Sequence, residues 1–382
     1  METPWKAGLE DVVAARSGIC AIDGAAGQLR YRGYEIGELA ATRSFEAVTH
    51  LLWFGELPDP RAEAAFADRL RGSRGVPSEL IARLRTLPRD AHPLDALRTA
   101  ISLAALLDPD ARSSDAAANS RKAGRLTTLV PAVVAAWARL RAGLEPISDT
   151  STPGHAAWFL HLLRGTAPRP DLARVLDVIL ILHADHEFNA STFAARVAVA
   201  TLADLHAALV AAVATLKGPR HGGANDDVLA MLIEIGDPRR AEAYVETRLG
   251  ARARLSRAER ADPKARIPGF GHRVYRVDDP RARVLREMAK SMAEATGHTR
   301  LFEVAERVYD AVRARTSLPV NVDFFSAVVY HALGIPADFC TSIFAVGRVA
   351  GWCAHSLEQY ADNRLIRPRA EYVGPAPRAL PV

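Results

Sequence analysis

The sequence predicts an all-α fold with one short β-hairpin near its N-terminus, on three observations. Apolar residues recur at helical spacing along most of the chain, strand-like alternation is confined to one stretch, and Pro and Gly punctuate the intervals between periodic runs. With 382 residues, 49% of them hydrophobic and 24% charged, the chain can build two domains or one large helical body carrying an insertion. That balance excludes a disordered chain.

Taken in order, METPWKAGLEDVVAARSG places acidic residues ahead of any apolar run, unlike a secretory signal. No stretch of about 18 uncharged apolar residues follows, so a cytoplasmic protein with no membrane partner is expected. ICAIDGAAGQLRYRG holds two short extended pieces around a Gly-rich turn, as a hairpin would. Helical periodicity then runs through SFEAVTHLLWFG, DALRTAISLAALL, LVPAVVAAWARL, LARVLDVILILHADH, DLHAALVAAVATL and TSIFAVGRVAGWCAHSLEQY. Segments 108 to 120 and 146 to 154, rich in Asp, Ser, Thr and Pro, read as surface loops, and PAPRALPV as a loose tail. Cys20, Cys340 and Cys353 are too few and too scattered for a disulfide framework or a thiolate metal site.

The net charge of +5 is local: residues 239 to 266 carry nine Lys or Arg against four Asp or Glu. A solvated basic helix face and a landing surface for a small polyanion both fit. Nucleic acid does not, because no aromatic residues are interleaved for base stacking and no DNA-binding motif is present.

Several residues could carry chemistry. His183 and His186, in HADHEFNAS, stand three apart at the end of an apolar run and are expected to share a helix face. Zinc would need a third ligand, and HxxHE is not the metalloprotease order HExxH, so a hydrogen-bonded polar pair is the preferred reading and no metal is expected. In KGPRHGGAND, His221 follows a helix end and precedes two glycines that could let backbone approach a ligand; a helix C-cap is the plain alternative. PGFGHRVYRVDDPRA repeats the arrangement at His272. Its Asp279-Pro280 reads as an N-cap and first helical residue, putting Arg281 in an opening turn suited to a carboxylate. Arg348 shares a helix face with Phe344, Trp352 and His355, where a charge is costly without a partner. An internal salt bridge or an anionic ligand would supply one. Asp323 opens DFFSAVVYHALG, where helix capping is the plain reading. Together, two glycine-flanked histidines, several arginines and a carboxylate make a set for proton transfer on a small dicarboxylate.

At these residues the sequence resembles the citrate synthase family, through LRYRGYEIGELA, AHPLDALRTAIS, HADHEFNASTFAARV, LKGPRHGGANDDVLAML, GFGHRVYRVDDPRARVL, NVDFFSAVVYHALGIP and FAVGRVAGWCAHSLEQY with NRLIRPRAEYVG. The resemblance spans nearly the whole chain in order. It implies a large helical domain, 1–224 and 331–382, with a small helical domain, 225–330, inserted late. It also implies condensation of acetyl-CoA with oxaloacetate and hydrolysis of the citryl thioester, or the same chemistry on propionyl-CoA as in 2-methylcitrate synthases. A catalytically silent CoA- or metal-binding helical protein is the rival of another class.

The resemblance further implies residue roles. His221 would bond the thioester oxygen, Asp323 take a methyl proton and His272 activate the oxaloacetate carbonyl. His186, Arg281, Arg348 and Arg367 would hold carboxylates, with Arg367 contributed across a homodimer interface. Backbone around Ile267, Gly269, Phe270 and Gly271 would face the adenine of CoA, with Arg266 and Arg276 near its phosphates. CoA enters as a thioester substrate, and no cofactor is implied. Closure of the small domain would expel water, with glycines near 218 to 223 as hinges. Phe188 and Ala327 depart from the family pattern. The YRG motif falls within the first few dozen residues, so the NADH regulation of longer members is not expected. A carboxylate of ordinary pKa near 4 is a weak base for a carbon acid, so Asp323 is expected to need help at the enolate oxygen.

Overall fold

The hairpin forms as its alternation predicts. Strand β1 (Cys20–Asp23) pairs antiparallel with β2 (Gln28–Tyr31), and β2 continues to a third, two-residue strand, β3 (Tyr34–Glu35), that the alternation was too short to reveal. The remainder of this computed structural model is helical, and it describes residues 5–10, 12–222, 224–256, 259, 262, 265–297, 299–378 and 380. Gly223 of the expected hinge, and positions 257, 258, 260, 261, 263 and 264 of the basic segment, lie outside the described residues.

The helices are α1 (Ile36–Thr42), α2 (Phe45–Phe54), α3 (Pro60–Gly72), α4 (Ser78–Arg85), α5 (Pro93–Leu107), α6 (Ala116–Arg141), α7 (His155–Arg164), α8 (Pro170–His183), α9 (Ala190–Ala200), α10 (Leu205–Leu216), α11 (Ala224–Ile235), α12 (Ala241–Ala253), α13 (Pro280–Thr296), α14 (Thr299–Arg315), α15 (Val322–Ala332) and α16 (Cys340–Ala361). Side-chain caps start many of them. Ser44 begins α2, Asp59 begins α3, Asp204 begins α10 and Asp279 begins α13. The loop expected at 108 to 120 is shorter than its composition suggests, because Asp115 caps α6 and the helix begins at Ala116.

Helix α16 is the axis of the core. It is buried on all sides from Cys340 to Ser356 and packs against α6, α8, α9 and α10. A second group, α11 with α14 and α13 with α15, packs beside it, and the apolar core runs through both groups. The site residues sit where these groups meet: at the end of α8, after α10, before and within the first turn of α13, at the start of α15, and midway along α16. Among the described residues, no helix is long and apolar enough to cross a membrane. The three cysteines are free thiols.

Candidate active site

Helix α8 ends at His183, so His183 and His186 do not share a helix face. His183 turns its Nδ1 to the carbonyl of Ile179, 2.8 Å away, whereas His186 stands beyond the helix end. The chain leaves the helix because Asp185 and its carbonyl are claimed elsewhere. Tyr31 Oη donates to the Asp185 carbonyl at 2.8 Å, and the buried Asp185 carboxylate faces His355 Nε2 at 3.2 Å. His186 thereby meets the second histidine loop, its ring 5.4 Å from that of His272.

His272 is held in one tautomer. The backbone N–H groups of Val274 and Tyr275 both donate to Nδ1, at 2.9 and 3.0 Å, so the neutral ring carries its proton on Nε2. His221 is held in the same manner from its other nitrogen. Ser191 N–H points at Nε2 from 3.3 Å, with Ser191 Oγ at 2.8 Å, which leaves the proton on Nδ1. Ser191 Oγ is itself fixed by Trp352 Nε1, which donates to it at 3.1 Å. Burial, and the positive charge of Arg348 on His221, push the pKa of His221 down to about 4. Burial does the same to His272, also to about 4, against the pull of Asp279. Both rings are therefore neutral hydrogen-bond donors at neutral pH.

Two glycine expectations change in kind. Gly222 serves packing: a Cβ there would stand 2.4 Å from the carbonyl oxygen of Leu216 and 2.7 Å from Thr341 Cγ2. Gly269 and Gly271 do adopt left-handed backbone, at φ +82° and +91°. Yet the peptide groups there are largely used. Gly271 N–H donates to the Pro319 carbonyl at 2.8 Å, the Gly269 carbonyl accepts from Asn321 N–H at 3.0 Å, and Phe270 bridges to Val320. The bridge ties the His272 loop to the segment leading into α15. Ile267 and Phe270 bury their side chains in the core, and Arg266 and Arg276 are exposed.

Asp323 is not the cap of its helix. Asn321 takes that place, its Oδ1 accepting from Asp323 N–H at 3.0 Å, and the Asp323 carboxylate is left for other work. Asn225, at the start of α11, donates to Oδ1 from Nδ2 at 2.5 Å. The expectation of an ordinary acidity is overturned. Burial, reinforced by the charges of Asp279 and Asp226 against those of Arg281 and Arg348, pushes the Asp323 pKa up to about 7. A base of that strength is matched to neutral pH.

The two arginines are buried differently. Arg281, 2% exposed, stands in the first turn of α13 as predicted and grips Asp279 through Nε at 3.0 Å and Nη2 at 2.7 Å. Arg348, 1% exposed, has no salt bridge among the described residues; its Nε donates to the His183 carbonyl at 2.6 Å and its guanidinium lies 4.5 Å from the Phe344 ring centre. Arg348 Nη1, His186 Nε2 and Tyr275 Oη are buried polar atoms with no protein partner. Such atoms are the ones a small anion would satisfy. The charge of Arg348 acts on His186, His221 and Asp323, and that of Arg281 on His186, His272 and Asp323. The structure thus gathers His186, His221, His272 and Asp323 around Arg281 and Arg348. Arg367 stands apart, exposed on the segment after α16.

His186, His272 and Asp279 offer three ligand atoms within 4.8 Å of one another. A cation is poorly served there, because Asp279 is already paired and Arg281 lies beside both histidines. Ser191, Asn225 and Tyr275 were not foreseen. Only their positions beside His221, Asp323 and His272 mark them, and no spacing rule carries that information.

The sequence model of the citrate synthase C-terminal domain family matches residues 8–369. The chain is 47% identical over 369 residues to citrate synthase 2 of Bacillus subtilis, covering 96% of this chain and 95% of that protein. It is 38% identical over 373 residues to 2-methylcitrate synthase of Shewanella oneidensis, covering 97% and 96%. The citrate synthase of Thermoplasma acidophilum, solved as a ternary complex with carboxymethyl coenzyme A and oxaloacetate, superposes with a TM-score of 0.88 at 30% identity, covering 98% of this chain and 97% of that one. This chain belongs to the citrate synthase family.

Proposed function

We propose that the chain condenses acetyl-CoA with oxaloacetate and hydrolyses the citryl thioester to citrate and CoA. The observation that carries the reading is one neighbourhood holding two neutral imidazole donors, a carboxylate of raised pKa and a buried guanidinium with no salt bridge among the described residues and one nitrogen without a partner. In this reading Asp323 takes a proton from the thioester methyl group, and His221 Nδ1–H donates to the oxygen on which the enolate charge develops. Donors aimed at developing charge act most strongly in a dry site. The enolate carbon then attacks the oxaloacetate carbonyl, which His272 Nε2–H polarises and whose oxygen receives that proton. Water finally cleaves the thioester and releases the thiol.

His186, Arg281 and Arg348 hold the oxaloacetate carboxylates in this scheme, and Arg367 reaches the site of a second subunit, which accords with its exposure away from its own cluster. Residues 225–330 act as the small domain that closes on 1–224 and 331–382. The CoA moiety meets the Ile267–Gly271 turn and the exposed Arg266 and Arg276. Arg239 and Arg252 of the basic segment are engaged by Asp237 and by the Ala265 carbonyl, which leaves that segment a lesser part in CoA binding than its composition implies.

A thiol-release assay with acetyl-CoA, with and without oxaloacetate, tests the reading. Release that requires oxaloacetate is expected, and release independent of it would overturn the proposal. The second reading, propionyl-CoA as preferred substrate, is favoured by the resemblance to 2-methylcitrate synthases at near 38% identity. One methylene is worth only about 1–3 kcal/mol of discrimination, so kcat/KM on both thioesters decides between them.

A further inference from the structure

Asn225 joins the two halves of the site. It lies four residues after His221, yet its Nδ2 donates to Asp323 Oδ1 at 2.5 Å from across the chain. Its orientation is fixed by its other end, because Asn225 Oδ1 accepts from Ser326 Oγ at 2.7 Å. Ser326 shares α15 with Asp323 and is fully buried, as is Asn225 at 1% exposure. With its oxygen turned to Ser326, the amide presents its NH₂ group to the carboxylate. A buried carboxylate would otherwise be free to rotate, or to be protonated on either oxygen.

We propose that Asn225 is a positioning residue for proton abstraction, holding Asp323 Oδ1 through its amide so that the second carboxylate oxygen receives the proton from the substrate. The inference rests on the reading of Asp323 as the base. When the substrate C–H bond breaks, its electron pair stays on carbon as the enolate and the proton passes to Asp323. The amide contributes to both rotation and charge: it stops the carboxylate turning, and its N–H stabilises the ionised form needed before the step. The other titratable and charged groups that face Asp323 are Asp226 of α11, Asp279 and Arg281 at the start of α13, Tyr330 of its own helix, and Cys340 and Arg348 of α16. Of these groups and Asn225, only the amide is hydrogen-bonded to the carboxylate.

The test compares Asn225→Ala, Asn225→Asp and Ser326→Ala with the wild type in full-length protein. The readouts are kcat against pH, KM for oxaloacetate, and exchange of acetyl-CoA methyl protons with deuterated water in the presence of malate, which lacks the acceptor carbonyl. Loss of the N–H donor disfavours the carboxylate, so the acid limb of kcat should move to higher pH by about one unit in Asn225→Ala and further in Asn225→Asp. Methyl exchange should slow on the order of 10² to 10³-fold, with KM for oxaloacetate within about threefold of wild type. Ser326→Ala should move the limb the same way by less. An acid limb that stays in place in all three variants, whatever their kcat, would leave Asn225 a merely structural residue and overturn the assignment. Wild-type protein that exchanges no methyl protons would overturn the reading of Asp323 along with it.

Discussion

Arg281 and Arg348 are both buried, both act on the histidines, and are opposite in how the fold treats them. Arg281 is supplied with Asp279 two residues earlier, and two guanidinium nitrogens engage that carboxylate. Arg348 receives a carbonyl, an aromatic face and no carboxylate within salt-bridge distance among the described residues, and one nitrogen is left without a partner. Helix N-capping explains the first arrangement without any ligand. The second is a cost that folding alone does not recover. The contrast separates an arginine held by its own carboxylate from one left open for the anion-binding role proposed above.

Breaking the comparison at Arg281 should give the largest effect. Arg281→Met leaves Asp279 buried and unpaired, and unfolding in urea should show a loss of about 3–5 kcal/mol as well as loss of turnover. Arg348→Met breaks no salt bridge among the described residues and loses one hydrogen bond and a longer-range attraction to Asp185, so stability should fall by less, about 1–2 kcal/mol, while kcat/KM for oxaloacetate should fall on the order of 10² to 10³-fold, equivalent to about 2.7–4 kcal/mol. Equal destabilisation in the two variants would erase the distinction.

A smaller effect sharpens it. Arg348 depresses the pKa of His221, and Arg281 that of His272. Burial is the larger cause in both and is unchanged, but removing a neighbouring positive charge favours imidazolium, so in Arg348→Met the His221 pKa should rise modestly from about 4 and stay below 6.5, while His272 stays near 4. Histidine-labelled NMR titration of both variants would read this. The sign carries over to stability. These imidazoles take up protons less readily folded than unfolded, so the stabilisation they contribute is complete above about pH 6.5 and is lost as pH falls through about 4.

How much of this was legible beforehand follows the range of the forces involved. Helical periodicity and caps such as Asp279 act over a few residues, and the sequence carried them faithfully. The run into HADH misled because apolar periodicity continues past the point where Tyr31, some 150 positions away, claims the Asp185 backbone and ends the helix. The plain alternative of Asp323 as a cap fails on a local detail: Asn321, two residues earlier, caps the helix by accepting from the Asp323 N–H. The raised pKa of Asp323 depends on burial with Asp279 and Asp226 alongside and two arginines opposing, groups that meet only in three dimensions. Family resemblance named residues that the fold brings near one another, Arg367 apart, without supplying their protonation.

The bridge between Phe270 and Val320, with its flanking bonds at Gly269, Gly271, Pro319 and Asn321, makes the His272 turn and the Asp323 helix parts of a single cassette. A chimaera that exchanges residues 268–323 with a relative as one block keeps that seam within a single parent. Swapping either strip alone would force foreign backbones to match along it, so recombination and library design on this scaffold should cut outside the block.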